Sequence, residues 1–328
     1  MRMSFLKSLA VCAAALTLGG AAARADDAVT FSIDWLPAGD KAVPYYGVQK
    51  GLFKEAGLDV SIVVGRGSSD VVTKLGTGAV DFGTGGLSAL MQAAASDGVP
   101  VKALAPIYTK QPDSNFVVEG AGISSLKDLK GKKVATGTFS SSNVAWPLVL
   151  QSNGVDPASV TLLKVDPGAL APMLATGQVD ATIGWMTVAP GFVAPLKEAG
   201  KTLKVIPWSE YGYQGYGSTL YTSDRMLKDK PEVVSRFVAA YQKATEAAIA
   251  DPVGAAAALK AMVPEVDVVV AQAQWEASIP LMVNEVSKAD GFGKFNDALL
   301  KSTWEWVAKA QNFPLDKIDP KALVAKGF

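Results

Sequence analysis

The chain of 328 residues is 49% hydrophobic and 19% charged, with 31 Lys and Arg against 31 Asp and Glu, one Cys and no His. At roughly 150 residues per domain this is material for two globular units. It is too apolar for a disordered chain and lacks the basic excess of a nucleic-acid binder. The missing histidines exclude a Ser-His-Asp triad, a Cys-His pair, His-ligated zinc and an imidazole general base.

Residues 1–25 read as a signal peptide. Arg2 and Lys7 form a positive start, Leu9 to Leu18 is apolar, and Ala23-Arg24-Ala25 fits a small-residue cleavage site. The apolar stretch is well short of the ~20 residues that span a bilayer. Cleavage after Ala25 removes Cys12 and leaves 28 basic against 31 acidic residues. The mature chain is then expected to be soluble in an exported compartment, the periplasm, held by core burial without disulfides and without membrane insertion.

Strands and helices alternate from there. Val29 to Trp35 alternates as a strand does, Pro44 opens a helix to Lys54, and Leu58 to Val64 is a second strand. Ser68-Ser69-Asp70 caps a helix to Leu75, Val80 to Gly83 is a strand, Ser88 to Ala95 a helix and Val101 to Tyr108 a strand. A second unit starts near Asn115. Its strands are Phe116–Val118, Lys133–Ala135, Val160–Val165, Ala181–Ile183 and Leu203–Ile206, with a one-turn helix at Ser124–Gly131 and a helix from Ser140 to Asn153. After Tyr221 the chain turns helical: Pro231–Ala250, Pro252–Met262, Val266–Trp275 and Lys294–Gln311, expected as a flank of the first lobe. The pattern predicts an α/β fold with mostly parallel sheets. The pattern Leu-x-x-Gly-x-Val-Asp occurs at Leu75–Asp81 and again at Leu174–Asp180, as a helix-capping glycine and a strand entry would in each of two similar lobes.

Gly51-Leu52-Phe53-Lys54-Glu55-Ala56-Gly57-Leu58-Asp59-Val60 resembles the early motif of periplasmic solute-binding proteins, and Leu126-Lys127-Asp128-Leu129-Lys130-Gly131-Lys132-Lys133-Val134-Ala135 resembles their second-lobe entry. The group is the SsuA/THI5-like, or NMT1-like, family, whose members bind nitrate, sulfonates, taurine or thiamine-pyrimidine precursors. Ser32-Ile33-Asp34-Trp35 is most similar to the thiamine-precursor side. The resemblance spans about residues 29 to 222. It implies the type II periplasmic binding fold: lobe 1 from 26–112 plus 218–328, lobe 2 from 113–217, and a central cleft spanned by crossovers near Tyr108–Asn115 and Gly212–Tyr221. It implies a monomer that carries a small organic solute, heteroaromatic and thiamine-precursor-like, to the permease and ATPase of an ABC importer, with no cofactor. The alternatives are a binder of alkanesulfonate, taurine or nitrate, a sensor adaptor, and a pyrimidine synthase. The family's synthases use a histidine and a Cys-rich iron motif, and neither exists in this mature sequence.

Ligands of open α/β sheets sit beyond the carboxyl ends of the strands, and the candidates follow from that rule. Trp35 stacks on a ligand ring or packs in the core, and Asp34 meets a ligand amine or braces its loop. One of Tyr45 and Tyr46 faces the cleft. Gly67, Ser68 and Ser69 offer a helix N-terminus to a polar edge, or simply cap it. Gly85-Gly86-Leu87-Ser88 has the same form, without the lysine of a phosphate-binding loop. In the second unit Thr138, Ser140, Ser141 and Asn143 are the polar readers, Trp185 mirrors Trp35 as a second aromatic wall, and one of Tyr211, Tyr213 and Tyr216 reaches the cleft. Trp304 and Trp306 are expected to pack the core or the lobes. Only Arg66 follows a strand, which favours a heteroaromatic or weakly charged ligand over a strong anion.

Overall fold

The computed structural model describes residues 26–327, so the proposed signal peptide lies outside the described residues. Two five-stranded sheets form two lobes. The first contains β1 (Asp27–Ile33), β2 (Leu58–Val64), β3 (Phe82–Gly86), β4 (Val101–Pro106) and, from much later in the chain, β10 (Ser218–Ser223), in the order β2-β1-β3-β10-β4. The second contains β5 (Asp113–Val118), β6 (Lys133–Gly137), β7 (Thr161–Val165), β8 (Ala181–Trp185) and β9 (Leu203–Pro207), in the order β7-β6-β8-β5-β9. In each sheet four strands run one way. The exception is the crossover strand, β10 or β5, antiparallel to both its neighbours.

The repeated motif has one structural meaning in both sheets. Gly78 and Gly177 end their helices at φ 76°, a left-handed turn that suits glycine. Leu75 and Leu174 are buried beneath. Asp81 then accepts the Thr30 N–H of β1 at 2.9 Å, and Asp180 accepts the Lys133 N–H of β6 at 2.8 Å. Each aspartate thereby ties the turn to the equivalent strand of its own sheet, β1 in the first and β6 in the second.

Several expectations need correction. The Pro44–Lys54 helix is broken: Ala42–Gln49 ends and Leu52–Glu55 restarts across Gly51, which sits at φ 72°. The third strand runs Phe82–Gly86 rather than Val80–Gly83, so Gly85 and Gly86, expected at a helix N-terminus, are strand residues that let helix and strand approach closely. The strand Ser218–Ser223 was missed because it is buried on both faces and mixes hydroxyls with only two large apolar residues, leaving no alternation to read. Two of its hydroxyls are satisfied internally, Thr222 on the Asp81 carbonyl and Tyr221 on the Gly85 carbonyl.

The tail does more than flank the first lobe. Helices Pro231–Ala250 and Pro252–Met262 pack beside the first sheet, but Val268–Met282 also meets Pro190–Glu198 of the second. Asp297–Gln311 packs on both Leu87–Asp97 and Ser142–Ser152. Trp304 is buried in the first lobe's core, whereas Trp306 meets Tyr213 edge-on in the second lobe's. Gln311 accepts from Gln92 on one side and donates to the Val144 carbonyl on the other.

The first core is built on aromatic stacking. Phe237 lies parallel to Phe82 with ring centroids 3.9 Å apart, and it also contacts Phe31, Phe53 and Tyr241. Phe237→Ala is expected to cost about 3–5 kcal/mol, read as a fall in the urea midpoint at unchanged slope. A loss below about 1 kcal/mol would mean the core closes over the gap and the stack is not its support.

Candidate functional site

The segments after β1, β2 and β6 and the carboxyl end of β8 converge on a cavity between the lobes. Its walls are Asp34, Trp35, Asp40, Lys41, Ser68, Ser140, Ser141, Gly184, Trp185 and Val188. Its free volume is only about 20 Å³, room for about one water molecule. The lobes touch around it. Thr187 Oγ donates to Asp40 Oδ2 at 2.9 Å, the Ser69 N–H to the Phe139 carbonyl at 3.1 Å, and Ser88 Oγ to the Ser141 carbonyl at 3.4 Å.

The floor is a buried ion cluster. Lys41 Nζ lies 2.8 Å from Asp34 Oδ1 and 3.4 Å from Asp40 Oδ2, and 4.3 Å above the Trp185 ring. The indole face adds a cation–π contact to the two carboxylates. Burial alone would lower the lysine's pKa, but the adjacent Asp34 and Asp40 outweigh it and raise it, so the ammonium stays charged. Asp34 Oδ2 accepts from Ser68 Oγ at 3.1 Å, which in turn accepts the Gly86 N–H at 2.9 Å. Asp40 Oδ1 is buried with no hydrogen-bond partner among the described residues.

Asp113, the first residue of β5 and the register partner of Trp185, is a further buried acid and accepts from Ser142 Oγ at 2.5 Å. Desolvation pushes its carboxyl up to about 6, against the hydrogen bonding that favours the ionised form. The indole is thus held by the lysine over its face and by an edge-on contact with Tyr108, with centroids 5.7 Å apart.

Of the residues singled out in the sequence, Asp34, Trp35, Ser68, Ser140, Ser141 and Trp185 line this cavity. Three sit at the lobe contact instead. Gly67 backs onto the Phe139 carbonyl so closely that a Cβ would lie 2.3 Å from it, while the Ser69 N–H and the Ser88 hydroxyl are taken by the opposite lobe. The helix N-terminus expected to face a ligand is therefore already engaged. Thr138 is exposed and binds the Val165 carbonyl, and Asn143 braces its own loop through Thr136 and the Gly137 carbonyl. Tyr45 and Tyr213 are buried in the hydrophobic cores, off the cavity wall. Tyr46 turns away to Asp251.

Trp185 does not mirror Trp35 topologically. Trp35 follows β1, whose counterpart in the second sheet is β6, while Trp185 ends β8, the counterpart of β3. The two indoles reach one cavity from different strand positions. Sequence reasoning missed Asp40, Lys41, Thr187 and Asp113. The available signal was the adjacent acid and base at Asp40-Lys41, in the loop just after the first strand, where the strand-end rule already looked.

Asp113 gives a pH test. The native state holds its proton more tightly than an unfolded chain whose carboxyl keeps the ordinary value of 3.8. Stability therefore falls as pH rises from about 4 to about 6 and is level above that. Asp113→Asn should remove this slope, changing the wild-type-minus-variant unfolding free energy by roughly 3 kcal/mol across the window. Denaturant titrations whose two pH profiles run parallel would contradict this.

The sequence profile of the family described as NMT1/THI5 like matches residues 40–255. A 4-amino-5-hydroxymethyl-2-methylpyrimidine phosphate synthase of Saccharomyces cerevisiae is 29% identical over 241 residues, covering 70% of this chain and 69% of that one. A protein named for thiamine biosynthesis from Haemophilus influenzae is 27% identical over 81% of this chain and 83% of its own. The alkanesulfonate-binding protein SsuA from Xanthomonas axonopodis, solved with MOPS bound, superimposes with a TM-score of 0.68 at 18% identity, over 92% of this chain and 98% of that one. That likeness establishes the periplasmic-binding-protein fold.

Proposed function

The chain belongs to the NMT1/THI5-like family, and on that footing we propose that it is an exported solute-binding protein. It captures a small, flat heteroaromatic bearing N–H donors, of the thiamine-pyrimidine-precursor kind, and delivers it to an ABC importer. In this reading 26–112 plus 218–328 form lobe 1 and 113–217 form lobe 2. They close about the two crossovers, where the Gly217 N–H meets the Tyr108 carbonyl at 3.0 Å and Gln111 Nε2 meets the Tyr216 carbonyl at 2.7 Å. Ligand would favour the closed state because only there do both lobes touch it.

The observation that carries the reading is Asp40, a lining residue of a cavity flanked by two indoles, whose Oδ1 is buried with no hydrogen-bond partner among the described residues. A buried acceptor left unpaired is costly, and a ligand N–H would satisfy it. Charge points the same way: Asp34, Asp40 and Lys41 are the charged groups in that wall and sum formally to −1, an unwelcoming setting for a sulfonate. Lys41 is no free anion receptor, being held between its two carboxylates. Against the synthase reading stands the sequence, which has no histidine and whose one cysteine is Cys12.

Calorimetry on refolded, ligand-free protein should show binding of an aminopyrimidine such as 4-amino-5-hydroxymethyl-2-methylpyrimidine. Asp40→Asn should weaken it by about tenfold to over a hundredfold, the worth of a charge-assisted hydrogen bond. Tight binding of ethanesulfonate or taurine with none of the pyrimidine would replace this reading with the sulfonate one. The export half is tested separately: protein recovered from the periplasm should begin at Asp26, and an intact Met1 would refute cleavage.

A further inference from the structure

A larger chamber opens outward from the small cavity and shares Trp35, Gly184 and Val188 with it. Its volume is about 450 Å³, some three times the ~150 Å³ that holds a benzene molecule in an apolar protein cavity. Three separate parts of the chain supply its apolar walls: the loop after β1 with Leu36, the second lobe with Leu170 and Phe192, and the tail with Val263 and Val270. The charged residues lining it are Glu265 and Asp267, both acidic, and no lysine or arginine is among them.

We propose that this chamber is a second subsite, which takes an apolar substituent of the transported ligand that is uncharged or cationic. The ligand would then be bipartite, with a donor-bearing ring against Asp40 and an apolar extension running past Trp35 toward the tail helix Val268–Met282. A six-membered ring alone leaves the chamber hydrated over its apolar walls. An extension removes that water and gains the hydrophobic contribution. The acidic rim excludes an extension ending in carboxylate, sulfonate or phosphate, because it would meet like charge with no cation to offset it. The identity of the ring rests on the solute-binding reading above; the chamber's selectivity does not.

The test uses two probes that need no ring in the inner cavity: neutral N-phenylnaphthylamine and its anionic relative anilinonaphthalene sulfonate, both fluorescent on leaving water. N-phenylnaphthylamine should saturate one site, and the sulfonate should bind about tenfold more weakly or worse. Ala171→Trp, placed in the chamber wall, should abolish the N-phenylnaphthylamine signal while leaving aminopyrimidine affinity in place. Glu265→Lys, on an exposed residue, should tighten the sulfonate probe. The proposal is overturned if the neutral probe survives Ala171→Trp in a variant with the wild-type unfolding midpoint, if the sulfonate binds as tightly as the neutral probe, or if Glu265→Lys leaves the sulfonate unchanged. Correct probe behaviour with no aminopyrimidine binding would bring down the ring assignment and keep the chamber. Aminopyrimidine binding with failed probes would do the reverse.

Discussion

A lysine ammonium buried under an indole sets the terms for the rest of this cleft. Removing one partner from a buried ion pair costs about 3–5 kcal/mol, because the remaining charge stays buried without compensation. Lys41 therefore needs Asp34 and Asp40 on either side, and those carboxylates need Ser68 and Thr187. Ser68 belongs to the helix after β2, and its hydroxyl also accepts the Gly86 N–H from the end of β3. Thr187 and Trp185 come from the other lobe. One charge thus aligns the strand ends of the first sheet and marks where the second must arrive.

That arrangement explains how a cleft with almost no free volume is compatible with ligand capture. The hydrogen bonds that close it around the cavity are few, a Thr–Asp bond, a backbone bond at Ser69 and a long Ser88 contact, joined by Lys41 over the Trp185 ring and Arg66 over the Phe139 ring. A typical net hydrogen bond is worth about 1 kcal/mol, so these hydrogen bonds add only a modest cost to opening the ligand-free lobes before closure on a ligand. The ion cluster draws its two carboxylates and its lysine from one side of the cleft and can persist through opening. The tail complicates the motion, since Gln311 holds Gln92 and the Val144 carbonyl together beside the crossovers. In the proposed closure, the pivot would lie near that helix.

The fold was largely legible in the sequence because it rests on local signals. The Leu-x-x-Gly-x-Val-Asp pairs encode a left-handed helix cap and a strand-tying aspartate at short range, and both appear as such. The strand Ser218–Ser223 was not legible, because a strand buried on both faces has no period-two contrast and the hydroxyls of Tyr221 and Thr222 find partners far away in the chain. The site was half legible. Trp35, Ser68 and Trp185 follow from the strand-end rule, whereas Tyr45 and Asn143 satisfy the same rule and point elsewhere. Direction is decided by packing: Tyr45 enters the first core, and Asn143 serves its own loop. Lys41 escaped notice because the search for an anion clamp looked for arginine, and a lysine paired within seven residues of Asp34 reads as a solvated charge until its burial is known.

On the proposed reading, Asp40 Oδ1 is the acceptor that orients the ligand. A crystal structure of the protein with a bound aminopyrimidine should show a ligand nitrogen within hydrogen-bond distance of Asp40 Oδ1, Lys41 still between Asp34 and Asp40, and the ring between Trp35 and Trp185. A ligand seated by an acceptor or anionic group on Lys41, with either carboxylate displaced, would contradict that reading.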